Sequence, residues 1–268
     1  MADLDIRTDA DGLTRVALDR PERHNALDRA LIDRLRATLS RLDRDTRVLL
    51  LEGRGKSFCA GADIGWMRAS VALSAEENTA DAMALSALLE TLDTLPCPSV
   101  ARVHGAAIGG GAGLLACCDV VVASDAARFA FSEVRLGLTP ATISPYVLRA
   151  IGSRAARRWF LTAERFDATV AYRLGLAHEI CADADLDRRV GEIVAALLQG
   201  GPAAQTASKR LIGDVAGRPI DEALRGDVAR RLAETRAGAE AQEGLAAFLD
   251  RRDPSWRVGR APVKPPTR

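Results

Sequence analysis

Ser57-Phe58-Cys59-Ala60-Gly61-Ala62-Asp63-Ile64 and Gly109-Gly110-Gly111-Ala112-Gly113 are the two stretches on which the reading of this chain turns. Each presents backbone N–H groups with little side chain around them, and two such donors aimed at one oxygen stabilise a developing negative charge. The second stretch opens an apolar run, Leu114-Leu115-Ala116-Cys117, that reads as a helix. A helix beginning near Gly110 points its free N–H groups and positive end at the preceding loop, so Gly110 is the expected donor. The competing account is structural: clustered glycines let a helix pack closely on a strand or let the chain turn.

Working outward, Thr14-Arg15-Val16-Ala17-Leu18 alternates as a half-buried strand, and the stretch from Pro21 to Asn25 reads as a turn. Leu27, Leu31, Ile32, Leu35, Leu39 and Leu42 fall on one helical stripe, and Val48-Leu49-Leu50-Leu51 is a short buried strand ending at Gly53. A second helix is expected over 76–95, stopped by Pro96 and Pro98, and Ser99-Val100-Ala101-Arg102-Val103 is the next strand. Val120-Val121-Val122-Ala123 and Arg128-Phe129-Ala130-Phe131 continue the alternation. From about Thr142 the pattern is almost wholly helical, over 142–150, 154–161, 186–199, 203–211 and 221–249. The fold class is therefore α/β, with sheet in the first two-thirds and helix in the last third.

The 268 residues suffice for a large core, and 48% hydrophobic with 27% charged residues is ordinary for a globular chain. A net charge of +1 gives no polyanion signature, so nucleic acid is not an expected partner. Five cysteines, odd in number and without a C-x-x-C pair, suggest neither a disulfide framework nor a zinc site. No apolar run is long enough to span a bilayer and the N-terminus does not read as a signal peptide, so a cytoplasmic protein without a membrane partner is expected. The proline-rich stretch from Asp253 is expected to be disordered in part.

Glu133 lies in Arg128-Phe129-Ala130-Phe131-Ser132-Glu133-Val134. If that stretch is extended, Phe129, Phe131 and Glu133 share a face, and desolvation raises the carboxyl toward the range of a proton shuttle. The other reading is a glutamate paired with Arg128 or Arg135. Gly111-Ala112-Gly113-Leu114-Leu115-Ala116 fits a dinucleotide fingerprint with Glu133 downstream, but it lies far from the start of the domain. His24, His104 and His178 show no ligand spacing, so no metal is expected. Asp63 is placed to cap a helix beginning near Ile64. Trp66 and Met67 either pack in the core or line an acyl pocket, with core packing preferred.

Both glycine stretches, in this order, resemble the enoyl-CoA hydratase/isomerase (crotonase) family. So do Arg20-Pro21-Glu22-Arg23-His24-Asn25-Ala26-Leu27, Asp119 after Cys118, Phe131-Ser132-Glu133-Val134-Arg135-Leu136-Gly137-Leu138, and Leu161-Thr162-Ala163-Glu164-Arg165-Phe166. The resemblance implies a spiral of ββα turns over residues 1–198 with an acyl-CoA site. It also implies a helical region over 199–257 that packs homotrimers or hexamers, and a tail over 258–268. It implies that the N–H groups of Ala62 and Gly110 hold a thioester oxygen, that Glu133 is the acid/base, and that no cofactor is needed beyond the coenzyme A of the substrate. Arg23, Ala26, Ala60, Asp63, Ile64, Trp66, Gly109 and Gly113 are the implied substrate-binding positions. Arg251 or Arg252 either reaches CoA phosphates from a neighbouring subunit or is solvated.

Family hydratases with two carboxylates carry their first glutamate three residues after the second oxyanion glycine, and here that position is Gly113. One carboxylate suits an isomerase that moves a proton between two carbons. The stretches around Ala62, Asp119 and Glu133 are nonetheless most similar to bacterial methylglutaconyl-CoA and isohexenylglutaconyl-CoA hydratases, which implies a hydratase with a branched or carboxylated acyl group. A relative that binds acyl-CoA without turnover is the third reading. Gly113 is expected to face the acyl cavity, so that a glutamate there would fit.

Overall fold

A polar edge precedes the first strand predicted from the sequence. β1 (Leu4–Thr8) alternates charged and apolar residues and pairs antiparallel with β2 (Leu13–Leu18), Leu4 opposite Leu18. Asp5 accepts from Arg54 at 2.8 Å and from Arg7, so charge blunts the sheet edge. Asp28 caps α1 (Arg29–Ser40) by accepting from Leu31 N at 2.9 Å, and Leu31, Ile32, Leu35 and Leu39 are buried along one stripe. β3 (Val48–Gly53) is buried at every position, as a strand covered on both faces must be. The computed structural model describes residues 3–42 and 45–257, and the chain divides into two compact units between Val194 and Ala195.

α2 (Ile64–Ser70) starts at Asp63, whose carboxylate accepts from Gly65 N and Trp66 N, as the sequence predicts. α3 (Ala75–Asp93) starts with a reciprocal capping box between Ser74 and Glu77. β4 (Ser99–Val103), β5 (Ala106–Ile108), α4 (Gly110–Cys117), β6 (Val120–Ser124) and β7 (Arg128–Ala130) follow. α5 (Ser144–Thr162) merges the two helices predicted over 142–150 and 154–161, and the break between them survives as non-helical Gly152 at φ 73°. β8 (Phe166–Asp167), α6 (Ala168–Leu174), β9 (Glu179–Cys181) and α7 (Leu186–Leu198) complete this part.

One sheet has the order β1-β2-β3-β4-β6-β9, parallel except at β1, and a smaller one has the order β5-β7-β8. The expectation of an almost wholly helical pattern from about Thr142 is qualified here: the short strands β8 and β9 lie within that stretch, and β9 extends the large sheet by pairing with β6. Asp119 ties β4 to β6 by accepting from both the N–H and hydroxyl of Ser99 at 2.8 and 2.9 Å. Phe129 and Phe131 pack with Trp159, Phe160 and Phe166 in an aromatic cluster under the smaller sheet.

The second unit holds α8 (Pro202–Val215), α9 (Glu222–Ala237) and α10 (Ala239–Leu249). The single helix predicted over 221–249 is two helices, broken at Gly238, where ψ is 150°. Glu240 accepts from Ala203 N and Ala204 N at 2.9 and 2.8 Å, satisfying the first turn of α8. Residues Ser255–Arg257 form a 3-10 turn that Trp256 anchors by donating to Gln199 O at 3.1 Å, so order reaches past Asp253. The predicted tail over 258–268 lies outside the described residues. Among the described residues no helix is long and apolar enough to cross a membrane.

Candidate active site

The segment Cys59–Ala62 is a thread laid against two neighbours. Cys59 bridges Ala107 of β5, donating to Ala106 O and accepting from Ile108 N, each at 3.0 Å, and Ala62 bridges Leu27. Ala60 N donates to His24 O at 3.0 Å, and Asp63 N donates to Leu27 O at 2.8 Å. Gly61 O accepts from Leu27 N at 2.7 Å. The N–H of Ala62 has no acceptor among the described residues. Gly61, at φ 93°, makes the turn that frees it.

The second donor comes from α4. Gly109 precedes the helix at φ 50°, its N–H bonded to Ala130 O at 2.9 Å, and the first helical bond runs from Gly113 N to Gly109 O at 3.0 Å. Gly110 N–H at the first helical position therefore has no intrahelical partner. A Cβ on Gly61 would lie 2.9 Å from Ile108 O and 4.0 Å from Gly109 Cα, so the two loops are in contact. Ala62 and Gly110 line one cavity of about 330 Å³, the size of a small-molecule site.

Glu133 faces the same cavity. It opens a 3-10 turn, residues Glu133–Leu136, closed by Gly137 at φ 73°. The strand ends at Ala130, so the extended geometry expected through Glu133 is corrected, although the predicted desolvation holds. Burial pushes the carboxyl above its ordinary range, against a smaller opposing effect of its own backbone N–H. Oε2 is buried without a hydrogen-bond partner. No ion pair joins Glu133 to Arg128 or Arg135; Arg128 instead donates to the carbonyls of Ala126 and Ala127 at 3.0 and 2.9 Å. A Cβ on Gly109 would lie 2.9 Å from Glu133 Oε1, which makes Gly109 the clearance for the carboxylate.

Gly113 departs from its expected place. It is buried inside α4 and absent from the cavity wall; a Cβ there would lie 2.4 Å from Cγ2 and 2.9 Å from Cβ of Ile143. Ile143 itself lines the cavity, so an apolar side chain stands beside the position from which a second carboxylate would project. Gly111 is equally tight, its Cβ position 2.4 Å from Cys59 O, leaving no room for the pyrophosphate that a dinucleotide fingerprint needs.

Of the other predicted positions, Ala60, Gly109 and Trp66 line the cavity; Trp66 also packs against the core, as expected, and Met67 lines the cavity beside it. Arg23, Ala26, Asp63 and Ile64 do not. Asp63 instead braces the Ala62 loop: Arg23 Nη1 lies 3.1 Å and buried Arg20 Nη2 3.9 Å from its Oδ2. Burial opposes its charge, but the Trp66 N–H, the Arg23 guanidinium and the Gly65 N–H together hold its carboxyl below the usual range. Arg252 is engaged by both carboxylate oxygens of Glu243 at 2.7 and 2.8 Å. Burial pushes the Cys59 thiol up to about 12, which removes it as a nucleophile. His24 bonds Ser57 Oγ at 3.0 Å and His178 accepts from Val121 N at 3.0 Å. No group of three or more His, Cys, Asp or Glu among the described residues is arranged to hold a metal.

Sequence reasoning missed the outer wall, formed by Ser70 of α2, by Asn78, Asp81, Ala82 and Leu85 of α3, and by residues 139–143. The signal was present, because 78, 81, 82 and 85 follow i, i+3, i+4, i+7 spacing along one helix face.

The enoyl-CoA hydratase/isomerase family model matches residues 8–259. A crotonyl-CoA hydratase of Syntrophomonas wolfei is 32% identical over 239 residues, covering 88% of this chain and 90% of the relative. An enoyl-CoA hydratase structure from Shewanella pealeana superposes with a TM-score of 0.92 at 41% identity, covering 95% of this chain and 96% of that one. A candidate enoyl-CoA hydratase/isomerase (crotonase) of Legionella pneumophila superposes with a TM-score of 0.91 at 42% identity, covering 96% and 99%. The architecture described above is therefore the crotonase fold.

Proposed function

The chain belongs to the enoyl-CoA hydratase/isomerase family, and from that premise we propose that it adds water across the 2,3 double bond of an enoyl-CoA thioester. The observation that carries this reading is a desolvated carboxylate, Glu133, with an unpartnered oxygen, in one cavity with the two free N–H groups of Ala62 and Gly110. The thioester oxygen sits between those N–H groups. Glu133 accepts a proton from water as the water oxygen bonds to C3; the π electrons move through C2 to the thioester oxygen, and the resulting enolate is held by the two donors. C2 then takes the proton back from Glu133, restoring the carboxylate. Each oxyanion donor is worth roughly 3 kcal/mol of barrier. Atoms and charge balance with no cofactor beyond the CoA portion of the substrate.

A second reading has its own observation. With Ile143 beside Gly113, Glu133 is the sole carboxylate at the inner wall among the described residues, and one carboxylate suffices to carry a proton between C2 and C4 in a double-bond isomerisation. Assembly as a homotrimer or hexamer belongs to the same proposal; Ile212, Leu232, Leu245, Phe248 and Leu249, exposed apolar residues of the second unit, support it.

Product analysis separates these readings. Incubation with crotonyl-CoA is expected to yield 3-hydroxybutyryl-CoA, heavier by one water, and 3-enoyl-CoA is expected to persist. Interconversion of 2- and 3-enoyl-CoA without added water makes the protein an isomerase, and binding without either product removes catalysis from the proposal.

A further inference from the structure

The face of α3 that borders the cavity changes character along its length. At the inner end, buried Leu89 backs the wall, its Cδ2 3.7 Å from the position a Cβ on Gly113 would take, so this end of the helix packs against α4 behind the cavity. Leu85 and Ala82 continue the wall, and then come Asp81 and Asn78, with Ser70 of α2 beside them. Asp81 is two turns before Leu89, about 12 Å along the axis.

The hydrogen-bonding state of these three side chains is one-sided. Ser70 spends its hydroxyl proton on Met67 O at 2.8 Å. Asn78 spends its amide protons on the carbonyls of Ser70, Leu73 and Ser74 at 3.3, 3.1 and 3.1 Å. Asp81 Oδ1 takes Arg29 Nη1 at 3.2 Å, and Arg29 also donates Nε to Asp33 at 2.8 Å, so one guanidinium is shared between two carboxylates. The Asp81 side chain is only 14% exposed. What these three side chains have left to offer a ligand is acceptors, the Ser70 lone pairs, Asn78 Oδ1 and Asp81 Oδ2, with a net negative charge behind them, beside the hydroxyls of Thr139 and Thr142 in the same wall.

We infer that the outer end of the cavity, read by Asp81 with Asn78 and Ser70, selects an acyl chain whose end remote from the thioester carries a hydrogen-bond donor, a hydroxyl or an ammonium group. This rests on the reading of the cavity as an acyl-CoA site. It sets aside the carboxylated, glutaconyl-type acyl group that the motif resemblance implies, because a second carboxylate there meets acceptors and like charge.

The test compares 2-enoyl-CoA thioesters of one chain length, long enough to span the wall, ending in methyl, hydroxyl, ammonium or carboxylate, by kcat/KM. Binding of the matching saturated thioesters is measured in parallel. The hydroxyl- or ammonium-ended chain is expected to exceed the methyl-ended one by about tenfold, the worth of one hydrogen bond of about 1.4 kcal/mol, in both measurements. The carboxylate-ended chain is expected to fall below the methyl-ended one by a similar factor. Asp81→Leu is expected to bring the donor-ended to methyl-ended ratio to near one. Asp81→Asn, which keeps the shape should the leucine variant fail to fold, is expected to lift the carboxylate-ended chain toward parity. Preference of the wild type for the carboxylate end, or ratios that neither variant moves, overturns the inference while leaving hydration of crotonyl-CoA standing. Failure to hydrate crotonyl-CoA or to bind any of the thioesters overturns the underlying reading as well.

Discussion

Glu133→Gln is expected to retain acyl-CoA binding within a few-fold and to lose about 10²–10⁴ in turnover, the range for removal of a positioned general acid–base. The amide fills the same volume beside Gly109 but neither accepts nor returns a proton. Because the wild-type carboxyl is raised by burial and must be ionised to accept the proton from water, activity should fall as pH drops through a value above the ordinary glutamate range. Stability moves the other way. A carboxyl whose folded pKa lies above its unfolded value contributes stability that is present below the unfolded pKa and lost as pH rises through the folded one. At pH 7 the wild type therefore carries the cost of a desolvated charge, and Glu133→Gln should unfold at a higher temperature there, with the gain vanishing in acid. Near-normal turnover in the variant, checked by steady-state kinetics beside isothermal binding, contradicts the assignment of Glu133.

Gly113→Glu is expected to cost at least about 3 kcal/mol of stability, a large share of the 5–15 kcal/mol typical of a folded domain. Its Cβ would enter the space of Ile143 Cγ2, and its carboxylate would leave from inside a buried helix. This reverses the expectation drawn from the sequence, which placed Gly113 on the cavity wall with space for a glutamate. If the clash with Ile143 is the cause, Ile143→Ala in the same chain should recover part of the loss, because the two positions are coupled by contact. Denaturant unfolding of both variants checks the account, and a fully stable Gly113→Glu protein contradicts it.

Much of the frame is legible from the chain itself. Val48-Leu49-Leu50-Leu51 reads as a buried strand because nothing polar interrupts that apolar run, and Asp63 announces α2 because a short acceptor before an apolar stretch has one common use. β1 escaped notice because Asp5 and Arg7 make an edge strand look like a polar loop. β8 and β9, two and three residues long, are too short for any periodic signal. At the site, the two donors follow from local backbone chemistry, whereas the environment of Glu133 depends on where the strand stops. The Phe131 ring turning into Phe160 and Phe166 and the left-handed Gly137 set that point, and both are tertiary facts. The filling of the Gly113 position by Ile143, from the start of a different helix, is likewise invisible to any local pattern.

Hydration in this site depends on the N–H groups of Ala62 and Gly110 jointly holding a thioester oxygen within reach of Glu133. A crystal structure with a saturated, unreactive acyl-CoA tests it most directly. The thioester oxygen is expected at about 2.7–3.1 Å from both nitrogens, with the carboxylate of Glu133 against C2 and C3 of the acyl chain. A thioester oxygen bonded to neither nitrogen, or an acyl chain lying away from Glu133, contradicts it.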